Sequence, residues 1–190
     1  GGGSQLTSVA ALDAAPAAAH KRLPMLQGPI WTRTLRKLNV VVDLARASLR
    51  ADIATLFLHD PSTDELYSHV THPEPFDIAL PSSLGIAGHV FHSLQVVNTP
   101  HAPSHPHFYA GIDRQTQQHT RAMLAVPIVS EETRRPIGVL EMLNKASEAV
   151  FGAADVSTAL IYSSMLARIV DRSTVDVMMA LHKKYVRKRH

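Results

Sequence analysis

The order of periodicities along the chain predicts an α+β domain built on a central antiparallel sheet of about six strands. Three observations carry that prediction. Apolar residues recur at helical spacing mainly near the two ends, strand-like stretches come in pairs joined by tight polar turns, and one segment of about twenty residues shows almost no periodicity. Strands joined by hairpins pair antiparallel, whereas parallel strands need crossovers of a dozen or more residues.

Residues 5–29 are rich in alanine, but Pro16, Pro24, Gly28 and Pro29 break any long helix, and the leading "GGGS" reads as a cloning remnant. Residues 1–29 are therefore expected to be a flexible arm. From Trp31 the apolar positions Leu35, Leu38, Val42, Ala45 and Leu49 follow at intervals of three and four, an amphipathic helix ending near Arg50. "IATLFLHD" then reads as a strand, "PSTDE" as a turn in which Pro61 presets φ, and "LYSHV" as the returning strand. "FDIALP" reads as a third strand. Ser82 or Ser83 is placed to cap a helix through "GIAGHVFHS", and "QVVN" follows as a short strand.

Thr99 to His119 is dense in proline and histidine. A loop of that length inside a domain is uncommon unless it binds something or covers a site. "AMLAVPIV" and "IGVLEMLN", joined by "SEETRRP", form a second hairpin, and from Asp155 the chain reads as one long helix. Its outer part keeps a thin apolar seam at Leu166, Val170, Val177 and Leu181, interrupted by Ser173. That seam suits a parallel coiled coil, so a homodimer through the terminal helices is expected. The division expected is an arm over 1–29, a domain over 30–172, and over 173–190 the end of a helix leading to a further domain.

The chain has 190 residues, enough for one sizeable core, and no unbroken apolar run approaches the ~20 residues of a membrane span. No membrane partner is expected. With no cysteine there is no disulfide, thiolate nucleophile or thiolate zinc site, which points weakly to a cytoplasmic protein. Formal net charge is +3, yet five of the nineteen Lys and Arg lie in the closing "HKKYVRKRH". The body offers no basic face with interleaved aromatics, so nucleic acid is not an expected partner.

Enzyme signatures are missing. No Gly-x-Ser-x-Gly elbow, Walker loop, kinase set or His-Glu-x-x-His pair occurs, and no catalytic residue is expected. His101, His105 and His107 crowd the unperiodic segment, but Asp113 is the only carboxylate near them, so loop histidines without a metal or cofactor are the expectation; a pH-sensitive loop is the functional alternative. "GIAGHV" fits a tight turn into a helix. It also fits an anion site, since a helix start presents unpaired N–H groups and glycines let a ligand come close.

Several motifs in order settle between those readings. "LGIAGHVFHSLQVVNTPHAPSHPHFYAGIDRQTQQHTRAMLAVPI", then "GVLEMLNK", then "FGAAD" resemble the GAF domains of cyclic-nucleotide phosphodiesterases and adenylate cyclases, over roughly Leu35 to Val170. The resemblance implies terminal helices packed on one face of the sheet and a lidded ligand pocket on the other. It implies a regulatory domain that encloses cAMP or cGMP and controls a catalytic domain, of a phosphodiesterase by preference. Ile86 and Ala87 match positions whose amides meet the cyclic phosphate. Tyr109, Thr116 and Thr120 match lid positions on the phosphate and sugar side, Asp113 lies between them, and Glu141 matches a sugar-side contact. One helical turn would set Thr116 and Thr120 on the same side.

The family's structural signature is met by Asn144, Lys145, Phe151 and Asp155, with Val156 in place of a glutamate. Lys145 and Asp155 suit an ion pair at a helix start. Members that choose cGMP carry a Phe-Asp pair late in the second strand, where this chain has Thr71 and His72; Phe76 and Asp77 fall at the start of the next strand. Hydroxyls at Thr55 and Thr71 with a neutral imidazole at His72 suit adenine, so cAMP is expected over cGMP. The alternatives are a ligand-free GAF module for dimerisation or interaction, and a pocket for haem.

Overall fold

The computed structural model describes residues 29–74, 76, 78–146 and 150–187. The arm before Pro29, Asp77, the last three residues of the basic end and the side chains of Val177 and Leu181 lie outside the described set. Helix α1 (Pro29–Leu49) leads into β1 (Ala51–Asp60), β2 (Glu65–His72) and β3 (Ala79–Pro81). Helix α2 (Gly85–Ser93), β4 (Val97–Thr99), a 3-10 turn (Ala102–Ser104), α3 (Ala110–Thr116), β5 (Met123–Val129), β6 (Pro136–Lys145) and α4 (Ala153–Arg187) follow. Every neighbour in the six-stranded sheet, ordered β3-β2-β1-β6-β5-β4, is antiparallel.

The sheet divides two cores, because side chains along a strand alternate between its faces. On the helix face Ala54, Leu56, Leu58, Leu124, Val126, Leu140 and Met142 pack against Leu38, Val42 and Leu49 of α1 and Leu166 of α4. On the other face Ile53, Phe57, Met123, Val139 and Leu143 pack against Ile86, Val90 and Phe91 of α2. Phe108 and Ile112, from the segment after β4, cover that second face.

Local chemistry sets the element ends. Arg50, at φ 52°, closes α1. In the first hairpin turn Asp60 accepts from the Ser62 amide at 2.8 Å and hydroxyl at 2.7 Å. In the second, the Ser130 hydroxyl accepts from the Thr133 amide at 3.0 Å. Two expectations are corrected. Strand β3 keeps only the last half of "FDIALP", and β4 begins two residues after Gln95.

α4 spans 35 residues. Its stretch Ala153–Ser173 has a mean hydropathy of 1.2 and is long and apolar enough, by length and composition, to cross a membrane. Here Ala159, Leu166 and Ala167 are buried against the sheet and α1. The expected dimer seam is also corrected at its inner end. Leu166 is buried within its own chain, and the Ser173 hydroxyl accepts from Thr34 of α1 at 2.8 Å.

Candidate functional site

The candidate site begins as a row of polar residues set into an apolar sheet face. Thr55 pairs with Thr71 on one side and Glu141 on the other, and Glu141 pairs next with Ala125. The three polar members are 2%, 5% and 7% exposed, in the order Thr55, Thr71, Glu141. Buried polar atoms in proteins nearly always have a hydrogen-bond partner. The Thr71 hydroxyl has none. Burial pushes the Glu141 carboxyl up to about 7, and the nearby Asp113 carboxylate adds to the effect.

His72 does not join this row. It stands opposite Ala54, on the helix face, where its Nε2 meets the Asn39 side-chain oxygen at 2.7 Å and Asp43 lies 3.8 Å from Nδ1. Adjacent residues on a strand face opposite ways, so Thr71 and His72 cannot both reach one ligand.

On the same face of the sheet, over β5 and β6, lies α2. Its N-cap is Leu84, which lends no side-chain bond, and the Gly88 amide donates to the Leu84 carbonyl at 3.1 Å. The amides of Gly85, Ile86 and Ala87 therefore precede that bond, as donors at the positive end of the helix. The side chains of Ile86 and Ala87 are buried and fix those amides in place. Both glycines are required. Gly85 sits at φ +74°, and a Cβ on Gly88 would stand 2.6 Å from the backbone of Ser82 and Ser83. The expected serine cap is absent because the Ser82 hydroxyl donates to Asp64 at 2.7 Å and meets His92 Nε2 at 3.1 Å.

A lid from Thr99 to Thr120 lies over the face. Its two ends meet where the Ala102 amide donates to the Arg121 carbonyl at 2.7 Å. Tyr109 precedes α3, its Cβ 3.7 Å from where a Gly85 Cβ would be, and its ring lies over Gly111. Asp113 holds the lid's exit: its carboxylate accepts from the Thr120 amide at 2.8 Å and hydroxyl at 2.6 Å. Thr116 donates to the Ile112 carbonyl at 2.8 Å. The helical turn expected to align Thr116 and Thr120 does not exist, since Gln117 at φ 56° ends α3 between them.

The crowded histidines form a cluster whose third member sequence reasoning missed. His89 of α2 stacks on His107 at 4.1 Å with rings 12° apart, and His105 lies 5.7 Å from His107. Burial and the two neighbouring imidazoles lower the His105 pKa. Among the described residues no group of three or more His, Asp or Glu is arranged to hold a metal ion.

Behind the site the Asn144, Lys145, Phe151 and Asp155 motif forms a clasp. The Asn144 side-chain oxygen accepts from the amides of Arg121 at 2.8 Å and Ala122 at 3.2 Å, and its nitrogen donates to the His119 carbonyl at 2.8 Å. The lid's exit is thereby tied to β6. Lys145 pairs with Asp155, which also accepts from the Gly152 amide at 2.7 Å. Burial alone would raise the Asp155 pKa, but those two donors hold it below the ordinary carboxylate range. The Phe151 carbonyl accepts from Asn98 at 2.9 Å. The lid contact of Asn144 was not read from the sequence, where an Asn at a strand end is the only signal.

A family model described as GAF domain matches residues 34–170. Among curated proteins, the chain is 29% identical over 94 residues to the rod cGMP-specific 3',5'-cyclic phosphodiesterase subunit alpha of Mus musculus, covering 50% of this chain and 11% of that protein. It is 24% identical over 146 residues to the cone cGMP-specific 3',5'-cyclic phosphodiesterase subunit alpha' of Gallus gallus, covering 73% and 17%. The chain thus spans less than a fifth of the length of these relatives. Among solved structures, the GAF domain of a phosphoenolpyruvate-protein phosphotransferase from Coxiella burnetii superposes with a TM-score of 0.68 at 19% identity, over 75% of this chain and 85% of that one, a likeness of fold.

Proposed function

The chain belongs to the GAF domain family, and we propose on that footing that it is a regulatory module enclosing a 3',5'-cyclic nucleotide between sheet and lid. The observation that carries the reading is the buried Thr71 hydroxyl without a protein partner, in a row that shares its sheet face with an uncapped helix start. Such a hydroxyl costs stability unless something supplies its missing bond.

In this reading the amides of Ile86 and Ala87 take the cyclic phosphate, and Thr55 and Thr71 meet the base. Tyr109 closes the phosphate side, with Glu141 at the sheet end of the pocket. Asp113, Thr116 and Thr120 already bond within the lid, so their part is to shape it rather than to grip the ligand directly. His72 has no place in the pocket. cAMP remains the first ligand to test, since two hydroxyls beside a carboxyl that can hold its proton suit adenine; the cGMP specificity belongs to the relatives.

A route to a catalytic domain follows from the clasp. The lid's exit is tied to Asn144, the next residue Lys145 is tied to Asp155, and Asp155 opens the long α4. A ligand that favours the closed lid biases that chain of contacts, and with it a phosphodiesterase domain carried by the parent protein. The test is a titration of the chain with cAMP and cGMP, by heat and by melting temperature. Saturable binding near one ligand per chain is expected. No heat and no thermal shift at millimolar ligand would overturn the reading.

One observation favours a second reading, an interaction module that pairs two copies. Val40 and Leu44 of α1, with Leu160, Ile161 and Met165 of α4, are between 41% and 63% exposed. Sedimentation decides it: a dimer lost on Ile161→Glu and indifferent to nucleotide supports this role alone.

A further inference from the structure

The row under the lid contains a group whose chemistry the pocket reading leaves open, a carboxyl sunk into an apolar face. We propose that the protonation state of Glu141 selects the purine, the neutral acid taking adenine and the carboxylate taking guanine, so that the preference between cAMP and cGMP reverses with pH. The proposal rests on the cyclic-nucleotide reading above and deepens it.

Register puts Glu141 beside the base. It pairs directly with Thr55, which pairs directly with Thr71, so a ring lying over the two threonines ends against the carboxyl. Among the described residues, its neighbours offer no counter-charge. From β1 it meets Thr55, from β5 Ala125, and the buried residues at the start of α2 are Ile86 and Ala87. His89 of α2 is stacked on His107 of the lid, and the Tyr109 ring lies over Gly111. The charged group that acts on it is Asp113 of α3, a like charge whose carboxylate is already engaged by Thr120. A carboxyl removed from water and facing another carboxylate holds its proton. Its pKa of about 7 puts both forms within reach of ordinary pH.

The two forms present different edges. A neutral carboxyl offers one O–H donor and one carbonyl acceptor, which match the ring-nitrogen acceptor and amino donor of adenine. A carboxylate offers two acceptors, which match the ring N–H and amino donors of guanine. Linkage then fixes the sign of proton exchange: a ligand that prefers the acid takes up a proton, and one that prefers the carboxylate releases one.

The test is titration calorimetry of the chain with cAMP and with cGMP from pH 6 to 8.5, repeated in buffers of different ionisation enthalpy. Proton uptake with cAMP and release with cGMP are expected, each no more than about one proton per ligand. The ratio of Kd for cAMP to Kd for cGMP is expected to rise by roughly tenfold or more across the range. Glu141→Gln cannot ionise, and its amide can pair with either purine, so the variant's preference between the two nucleotides should stay constant across the pH range, without proton exchange at this position. Should that variant melt early, the wild-type proton counts decide alone. Binding of both nucleotides with the same sign of proton exchange, as a contact to the shared sugar would give, overturns this proposal and leaves the binding reading standing. No binding of either at any pH overturns both.

Discussion

Asn144 gives the sharpest test of how the lid is held. Replacing it by alanine removes three hydrogen bonds: two amides, of Arg121 and Ala122, lose their acceptor, and the His119 carbonyl loses a donor. At about 1 kcal/mol for each bond, discounted because the site is half-buried, the loss is about 2 kcal/mol. Asn144 also sits at φ 53°, in the left-handed region that asparagine tolerates, and an alanine Cβ there costs about 1 kcal/mol more. Asn144→Ala should therefore lower unfolding stability by about 3 kcal/mol, and Asn144→Gly, free of the backbone strain, by about 2 kcal/mol. Urea unfolding measures both, and amide exchange across 119–122 should quicken in each variant even under native conditions. Stability within about 0.5 kcal/mol of the parent for Asn144→Ala, or no change in exchange, would refute the clamp.

Three further outcomes follow from the same contacts. Thr71→Val replaces an unpartnered buried hydroxyl by a methyl of similar size, so the empty chain should gain about 1 kcal/mol in urea unfolding while nucleotide affinity falls; a loss of stability would show that the hydroxyl had a partner. Gly88→Ala should lose about 1–3 kcal/mol despite alanine's better helix propensity, because its Cβ meets fixed backbone of Ser82 and Ser83 rather than a movable side chain; a raised melting temperature would contradict that geometry. Because the folded pKa of Asp155 lies below its ordinary 3.8, its stabilisation is present above that value and lost as pH falls through the folded value. Asp155→Asn should therefore be less stable than the parent at pH 6 and converge with it toward pH 2, as acid unfolding curves would show.

The two hairpins, the amphipathic α1 and the long α4 were legible because each is written in a local signal: turn residues at Asp60 and Asp64, a three-four apolar repeat, and an unbroken helical run. The ion pair of Lys145 and Asp155 was legible too, since both residues stand at element ends. That Thr71 and His72 could not share one pocket was legible from strand alternation, but which of the two faces the lid was not. Counted from the first turn without interruption, Thr55 would pair with Val70 and His72 would face the lid. A bulge between Leu56 and Phe57 shifts the register by one, pairs Thr55 with Thr71 and turns His72 to the helices. Thr116 and Thr120 failed for a similar reason, because the left-handed Gln117 that separates them carries no glycine or proline to announce it. The clamp of Asn144 on the lid joins residues more than twenty apart, a contact that periodicity does not report.

Hydrogen exchange on the chain with and without saturating cAMP or cGMP tests the central claim most directly, because it reports both whether a nucleotide binds and where. Slower exchange at the first turn of α2, Gly85 to Ala87, and across the lid from Thr99 to Thr120 is the predicted result. Unchanged exchange in both segments at saturation, or protection confined to α1 and α4, would contradict a cyclic nucleotide enclosed between sheet and lid.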